Sequence, residues 1–127
     1  MKTAITLLFL FVILSGSSCS KNKDKTDTIP PVVTISNPLN GQVFTNGQII
    51  PISGTVTDNE YIAEVHIHVT NTNTGALLMD VHKFPAAATL SFNESIIATT
   101  GVNYRIQVVT TDRAVNEARA TVNVSCN

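Results

Sequence analysis

Read on its own, the chain predicts a seven-stranded antiparallel β-sandwich, an all-β fold. Three observations predict it. Apolar residues recur with a period of two in short runs, the pattern of a strand with one buried face. Clusters of Gly, Pro, Asn and Asp separate those runs at short intervals. No stretch of the sandwich region repeats its apolar residues at helical spacing. Seven such strands with turns at this spacing form two packed sheets. The chain divides into residues 1–18, a signal peptide, residues 19–28, a tether, and residues 29–127, the sandwich.

The first strand holds Val33 and Ile35, after Pro30 and Pro31 open the domain. Asn37 to Gly41 turns the chain, Val43 and Phe44 extend or restart the strand, and Asn46-Gly47 turns again. Ile50, Ile52, Gly54 and Val56 mark the second strand, where Pro51 suits an edge or the solvent side. Asp58-Asn59-Glu60 then leads into a hairpin. Its first arm alternates Val65, Ile67 and Val69 with Glu64, His66 and His68. Asn71 to Gly75 is a run of turn formers, with Gly75 free to take a positive φ. The second arm alternates Leu77, Met79 and Val81 with Leu78, Asp80 and His82, and Phe84-Pro85 ends it. Leu90 and Phe92 give a fifth strand running towards Ile96, and Thr99-Thr100-Gly101 turns. Tyr104, Ile106, Val108 and Thr110 give a sixth. Asp112 to Glu117 is a loop, and Ala118, Ala120, Val122 and Val124 give the last.

The hairpin carries all three histidines of the chain. Facing its apolar residues inward sets Val65 opposite Val81, Ile67 opposite Met79 and Val69 opposite Leu77. A slip of one residue would turn a polar set into the core. On the outer face Glu64 then lies opposite His82, and His66 opposite Asp80, with His68 next along. Opposed Cβ atoms are about 4.5–5.5 Å apart. Glu64, His66, His68, Asp80 and His82 thus share one face. Imidazole and carboxylate together suit a zinc-type ion. The same pattern also describes a solvated sheet face with cross-strand His–carboxylate pairs. His-x-His along one strand spaces its rings by about 6.5–7 Å. A single ion would therefore take His66 or His68 with His82 and one carboxylate.

A second candidate lies at one end of the sandwich. If strand direction reverses at each connection, the domain start, the segment after the second strand and the loop after the sixth come together. Asp27, Asp58, Asn59, Glu60, Asp112, Asn116 and Glu117 then cluster there. Calcium takes six to eight oxygens from such groups. Asp and Asn also bond their own backbone in turns, with no metal involved.

The first residues address the chain. Lys2 followed by Ile5 to Leu14 is a basic start with a short apolar run, the form of a secretory signal. That run is shorter than the roughly 20 residues a bilayer span needs. Leu14-Ser15-Gly16-Ser17-Ser18-Cys19 resembles the lipobox of bacterial lipoproteins, in which the cysteine becomes the first mature residue and is acylated. Gly16 stands where that motif has a large aliphatic residue, and the nearest leucine is Leu14. The competing reading is cleavage after a small residue, giving a soluble secreted protein. The polar segment Ser20 to Thr28 has no apolar residue to pack and reads as a tether. Its lysines and aspartate resemble the surface-export signals of some Gram-negative lipoproteins, and equally describe a plain solubilising linker.

Without residues 1–18 the chain keeps seven basic against nine acidic residues. A weakly acidic balance carries no nucleic-acid footprint. If Cys19 is acylated, Cys126 has no partner within the chain.

Four stretches carry a family resemblance: Asp27 with Pro30-Pro31-Val32-Val33-Thr34-Ile35, then Asn40-Gly41-Gln42-Val43, then Ile52 to Asn59, and Thr111 to Asn116. They resemble the bacterial immunoglobulin-like domains of secreted and surface proteins, and the small Gram-negative lipoproteins that share this fold without an assigned function. Tyr104 resembles the tyrosine corner of that fold. The family more often reads D-x-A-G-N in the last stretch, where this chain has Val115 for the glycine. The resemblance implies an Ig-like sandwich. Related domains with matching Asp positions bind calcium, which implies Asp58 and Asp112 as ligands.

The function expected is that of an outer-membrane lipoprotein, anchored through Cys19, whose single non-catalytic Ig-like module binds an envelope or extracellular protein. The alternative is a metal-binding lipoprotein, holding zinc on the histidine face or calcium at the acidic end. The sequence has no nucleophile elbow, phosphate loop or HExxH motif. It has no tryptophan and few aromatics to stack on sugars.

Overall fold

A computed structural model describes residues 26–127. The expected signal peptide, Cys19 and most of the expected tether lie outside the described residues. Every regular element among the described residues is a strand: β1 (Val32–Asn37), β2 (Val43–Phe44), β3 (Ile49–Asn71), β4 (Leu77–Lys83), β5 (Ala87–Ile97), β6 (Asn103–Asp112) and β7 (Glu117–Cys126).

β3 organises the molecule. Its first half lies between β1 and β5, and its second half between β4 and β6. β7 continues the second group beside β6, and β2 closes it. The sequence predicts two strands separated at Asp58-Asn59-Glu60; the structure has one strand of 23 residues that passes from the first group of strands to the second. The physical reason is a change of phase without a chain reversal. Ile50, Ile52 and Val56 face the core from even positions, and Val65, Ile67 and Val69 from odd ones. The shift comes where Ile62 pairs with Asp112 but Glu64 with Thr111, so Ala63 is extra on β3. Such a bulge bends a strand and increases its twist. The Thr110 hydroxyl donates to the Glu64 carbonyl there, at 2.9 Å.

Two further expectations need correction. The hairpin pairs two residues away from the register the sequence predicts: Ile67 faces Val81, Val69 faces Met79, and His66 faces His82. A shift of two keeps every side chain on its face, so the apolar pattern does not resist it. It is set by the loop, with Gly75 at positive φ, and by an irregularity between Val69 and Thr70. The sheet is also not wholly antiparallel. β2 runs parallel to β7, with Val43 beside Ser125 and Phe44 beside Cys126.

The core joins Ile50, Ile52, Val56 and Phe92 from one half to Val65, Ile67, Ile106, Val108 and Val124 from the other. Within the first half, Gly54 lets β1 and the Phe92 ring of β5 close onto β3. A Cβ there would lie 2.0 Å from the Thr34 carbonyl oxygen and 2.6 Å from the Phe92 ring. Pro51 is exposed and lies beyond Ser53, the last partner of β1, so one side of the strand is open beside it. Tyr104 is buried, and its hydroxyl oxygen accepts the Thr99 N–H at 2.8 Å, five residues upstream, as a tyrosine corner does. Cys126 is buried in the core.

Candidate functional site

Two clusters of ligating side chains stand out, and β3 contributes to both.

The first is the corner where β3 changes sheets. Asp27, Asp58 and Asp112 each direct a carboxylate oxygen to one place, with those oxygens within 4.8 Å of one another. Each carboxylate is fixed by nearby backbone or amide groups. Asp27 accepts the Ile29 N–H at 2.9 Å and the Asn59 side-chain amide at 3.0 Å. Asp58 Oδ2 accepts the N–H groups of Glu60 at 2.9 Å and Tyr61 at 2.7 Å. This is the Asx chemistry of a turn, here capping a corner in a continuous strand. Asp112, only 3% exposed, accepts the Asn116 N–H at 2.8 Å and its side-chain amide at 2.6 Å. That amide also donates to the Asp27 carbonyl at 3.1 Å, tying the domain's first residues to the loop between β6 and β7. Asp58 Oδ1 is buried and has no hydrogen-bond partner. Among the described residues no cation pairs with any of the three carboxylates.

Of the residues expected at this end, Asn59 and Asn116 act as donors to the carboxylates. Glu60 lies beside them, lining a groove with Thr26, Asp27, Tyr61, Arg113 and Ala114. Glu117 instead pairs with Arg119. The sequence did not single out Tyr61 and Arg113, whose guanidinium sits 3.9 Å from the centre of the Tyr61 ring. No local motif announces that contact, because it forms only when β3 and the β6–β7 loop meet. Val115, where the family has glycine, takes φ 68° with its side chain 81% exposed.

The second cluster lies on the outer face of β3 and β4. His66 and His82 are opposed, and their rings stack with centroids 4.0 Å apart and planes 17° from parallel. The His66 Nε2 meets Asp80 Oδ1, and the His82 Nε2 approaches the same oxygen at 3.3 Å. His82 Nδ1 lies 2.6 Å from Glu64 Oε1. The bond to Glu64, more than any other influence, raises the His82 pKa above its usual value. The bond to His66 does most to hold Asp80 below its own. The structure thus brings His66, Asp80 and His82 together, with Glu64 behind His82. His68 shares the face but turns to Gln107, with Nε2 2.9 Å from Oε1. The Gln107 amide in turn donates to Thr121 at 3.0 Å. Gln107 escapes a sequence reading because it lies on β6, 39 residues from His68.

Known proteins place the chain. In solved structures it is similar to the fibronectin(III)-like modules of Clostridium thermocellum CbhA, with 22% identity, a TM-score of 0.54, and coverage of 75% of this chain and 94% of that one. It is also similar to a CARDB domain from Pyrococcus furiosus, solved in complex with di-metal ions, with 18% identity, a TM-score of 0.52, and coverage of 82% and 97%. At these identities the likeness shows the fold, an Ig-like β-sandwich. Domains of this kind are typically non-catalytic. No curated protein matches the chain. The family described as the bacterial Ig domain matches residues 31–124, the whole sandwich from the start of β1 to near the end of β7, and the chain belongs to that family.

Proposed function

We propose that the protein is an exported, lipid-anchored Ig-like module that acts without catalysis, docking an envelope or extracellular protein, with calcium bracing the end that joins its tether. Cys19, after its signal-like leader, supplies the outer-membrane anchor, and the charged tether that follows holds the module clear of the surface. Sandwich loops and strand edges supply docking surfaces of the kind such modules use.

The observation that carries this reading is the way the tether joins the fold. Asp27, its penultimate residue, is bonded to Asn59 of β3 and to Asn116 of the β6–β7 loop. Its carboxylate converges there with those of Asp58 and Asp112. Three like charges so close repel unless a cation or a proton joins them. Calcium suits oxygen donors of this kind, and the unpartnered Asp58 Oδ1 offers one at no cost in existing bonds. A fold neighbour, the CARDB domain, is itself described with di-metal ions.

Two measurements on the mature protein test the reading. Cys19→Ser should move it from the membrane fraction to the soluble fraction and abolish labelling by fatty acid. Calcium should raise the thermal midpoint, by about 2.7 kcal/mol of stability at a hundred times Kd. EDTA should reverse the rise and Asp112→Asn should abolish it. A membrane-bound Cys19→Ser protein would overturn the anchor, and a midpoint indifferent to calcium would overturn the brace.

A further inference from the structure

We propose that His66, His82 and Asp80 form a transition-metal site of the zinc class on the outer face of the β3–β4 hairpin, with Glu64 as the residue that positions His82. This goes beyond the calcium brace and is independent of it, since the two clusters share no residue.

Hydrogen placement decides which nitrogens of the pair are free to ligate. Glu64 is an acceptor, so His82 donates its Nδ1–H to it at 2.6 Å. In the neutral ring Nε2 then carries a lone pair, which faces a carboxylate oxygen of Asp80 at 3.3 Å. A lone pair opposite an anion is unfavourable until something positive comes between them. One candidate is a second proton on His82. A proton there would serve His82 and Asp80 alone, whereas the His66 Nε2 converges on the same Asp80 oxygen. The other candidate is a divalent cation, which would take the His82 lone pair, the Asp80 oxygen and His66 Nε2 together.

The donors suit that ion. Two imidazoles and one carboxylate are common zinc ligands, and copper(II) and nickel(II) accept the same set. Zn–N bonds of about 2.0–2.1 Å place tetrahedral donors about 3.3 Å apart. The donors here lie within 4.8 Å of one another and belong to side chains about a third or more exposed, so small rotations close the difference. The backbone beneath need not move, because His66 and His82 are already ladder partners. Glu64 holds His82 as outer carboxylates hold metal-binding histidines, fixing the tautomer and the ring direction. His68 is committed to Gln107, which leaves three protein donors and a fourth position facing solvent.

The test is a calorimetric titration of the purified protein with zinc chloride at pH 7.5, in excess calcium so that the acidic corner is occupied by its preferred ion. One zinc should bind per chain. His66→Gln and His82→Gln should each weaken it at least about tenfold, and Glu64→Gln about 10- to 100-fold with the stoichiometry kept. Asp112→Asn should leave zinc affinity unchanged. The thermal midpoints of the metal-free hairpin variants should lie close to the parent's, separating lost ligation from lost fold. No zinc uptake by the parent, or uptake unchanged in both histidine variants, would overturn the site. Unchanged affinity in Glu64→Gln would overturn the positioning role.

Discussion

The acidic corner and the histidine face lie on the same strand and are built in opposite ways. At the corner each carboxylate satisfies backbone N–H groups: Ile29 for Asp27, Glu60 and Tyr61 for Asp58, and Asn116 for Asp112. Those side chains are part of how the chain turns from one sheet to the other. On the histidine face the side chains bond to one another above a ladder that is complete without them. A ligand set woven into the backbone stabilises the fold whether or not an ion is present, and an ion there acts as a brace. A ligand set laid on a finished sheet is free to exchange protons or metals with little effect on the fold.

The difference can be broken most forcefully at Gly54, which lies in the first half of β3 and holds neither cluster. Gly54→Ala would drive a Cβ into the Thr34 carbonyl and the Phe92 ring. Overpacking costs about 1–3 kcal/mol, and more when backbone must move. A loss of at least about 3 kcal/mol in denaturant melts, with calcium affinity falling alongside it, would show that the corner depends on close packing of β1 and β5 against the first half of β3. A fold that tolerates alanine would mean that β1 and β5 are free to part.

Asp112→Ala comes next. It removes the acceptor for the Asn116 N–H and side-chain amide at a position 3% exposed. Leaving such donors unpaired costs about 1–3 kcal/mol. That loss should appear in EDTA and grow when calcium is present. His82→Ala, made on the opposite face, should shift the metal-free melt far less. If the two variants behaved alike, the distinction between woven and laid-on ligands would fail.

Val115→Gly should act in the other direction. A β-branched residue at φ 68° is strained, and such conformations cost about 1–3 kcal/mol. Glycine gives back about 0.5–1 kcal/mol through greater freedom in the unfolded chain. A net gain of about 1 kcal/mol in thermal melts is expected, with calcium binding at the corner at least as tight as before. A loss would show that the exposed Val115 side chain does something that its surroundings do not reveal.

The two regions were also unequally legible in the sequence. Strand positions and faces could be read because period two fixes them, and of the residues expected together His66, Asp80 and His82 meet, as do Asp27, Asp58 and Asp112, while His68 turns to Gln107 and Glu117 to Arg119. The continuous β3 could not be read. A change from even to odd phase is made equally well by a turn or by a bulge, and Asp58-Asn59-Glu60 looks like a turn because its side-chain caps are the same in both. The hairpin register was displaced by two because apolar parity is blind to even shifts. That error moved His66 from opposite Asp80 to opposite His82, yet the diagonal His66–Asp80 and Glu64–His82 pairs still formed. The β2–β7 pairing rests on two residues meeting the far end of the chain, and nothing local encodes it.

The smallest effect expected is the pH response of the histidine face, and its sign separates protons from metal. His82 has its pKa raised above 6.5, chiefly by the Glu64 bond. Its contribution is complete below pH 6.5 and fades as pH rises through the higher folded value. Asp80 has its pKa lowered below 3.8, chiefly by the His66 bond. Its contribution is complete above pH 3.8 and is lost as pH falls through the lower folded value. The metal-free face should therefore be most stabilising between these limits, and should weaken slightly from pH 6.5 upward. Zinc runs the other way, because ligation needs the neutral imidazole and so strengthens as protons leave. Melts at stepped pH, with and without zinc, should diverge above pH 6.5, and His82→Ala should remove both trends. Parallel curves would mean that proton and metal do not compete for His82 Nε2. The lone pair facing Asp80 would then be answered by a proton and not by a metal.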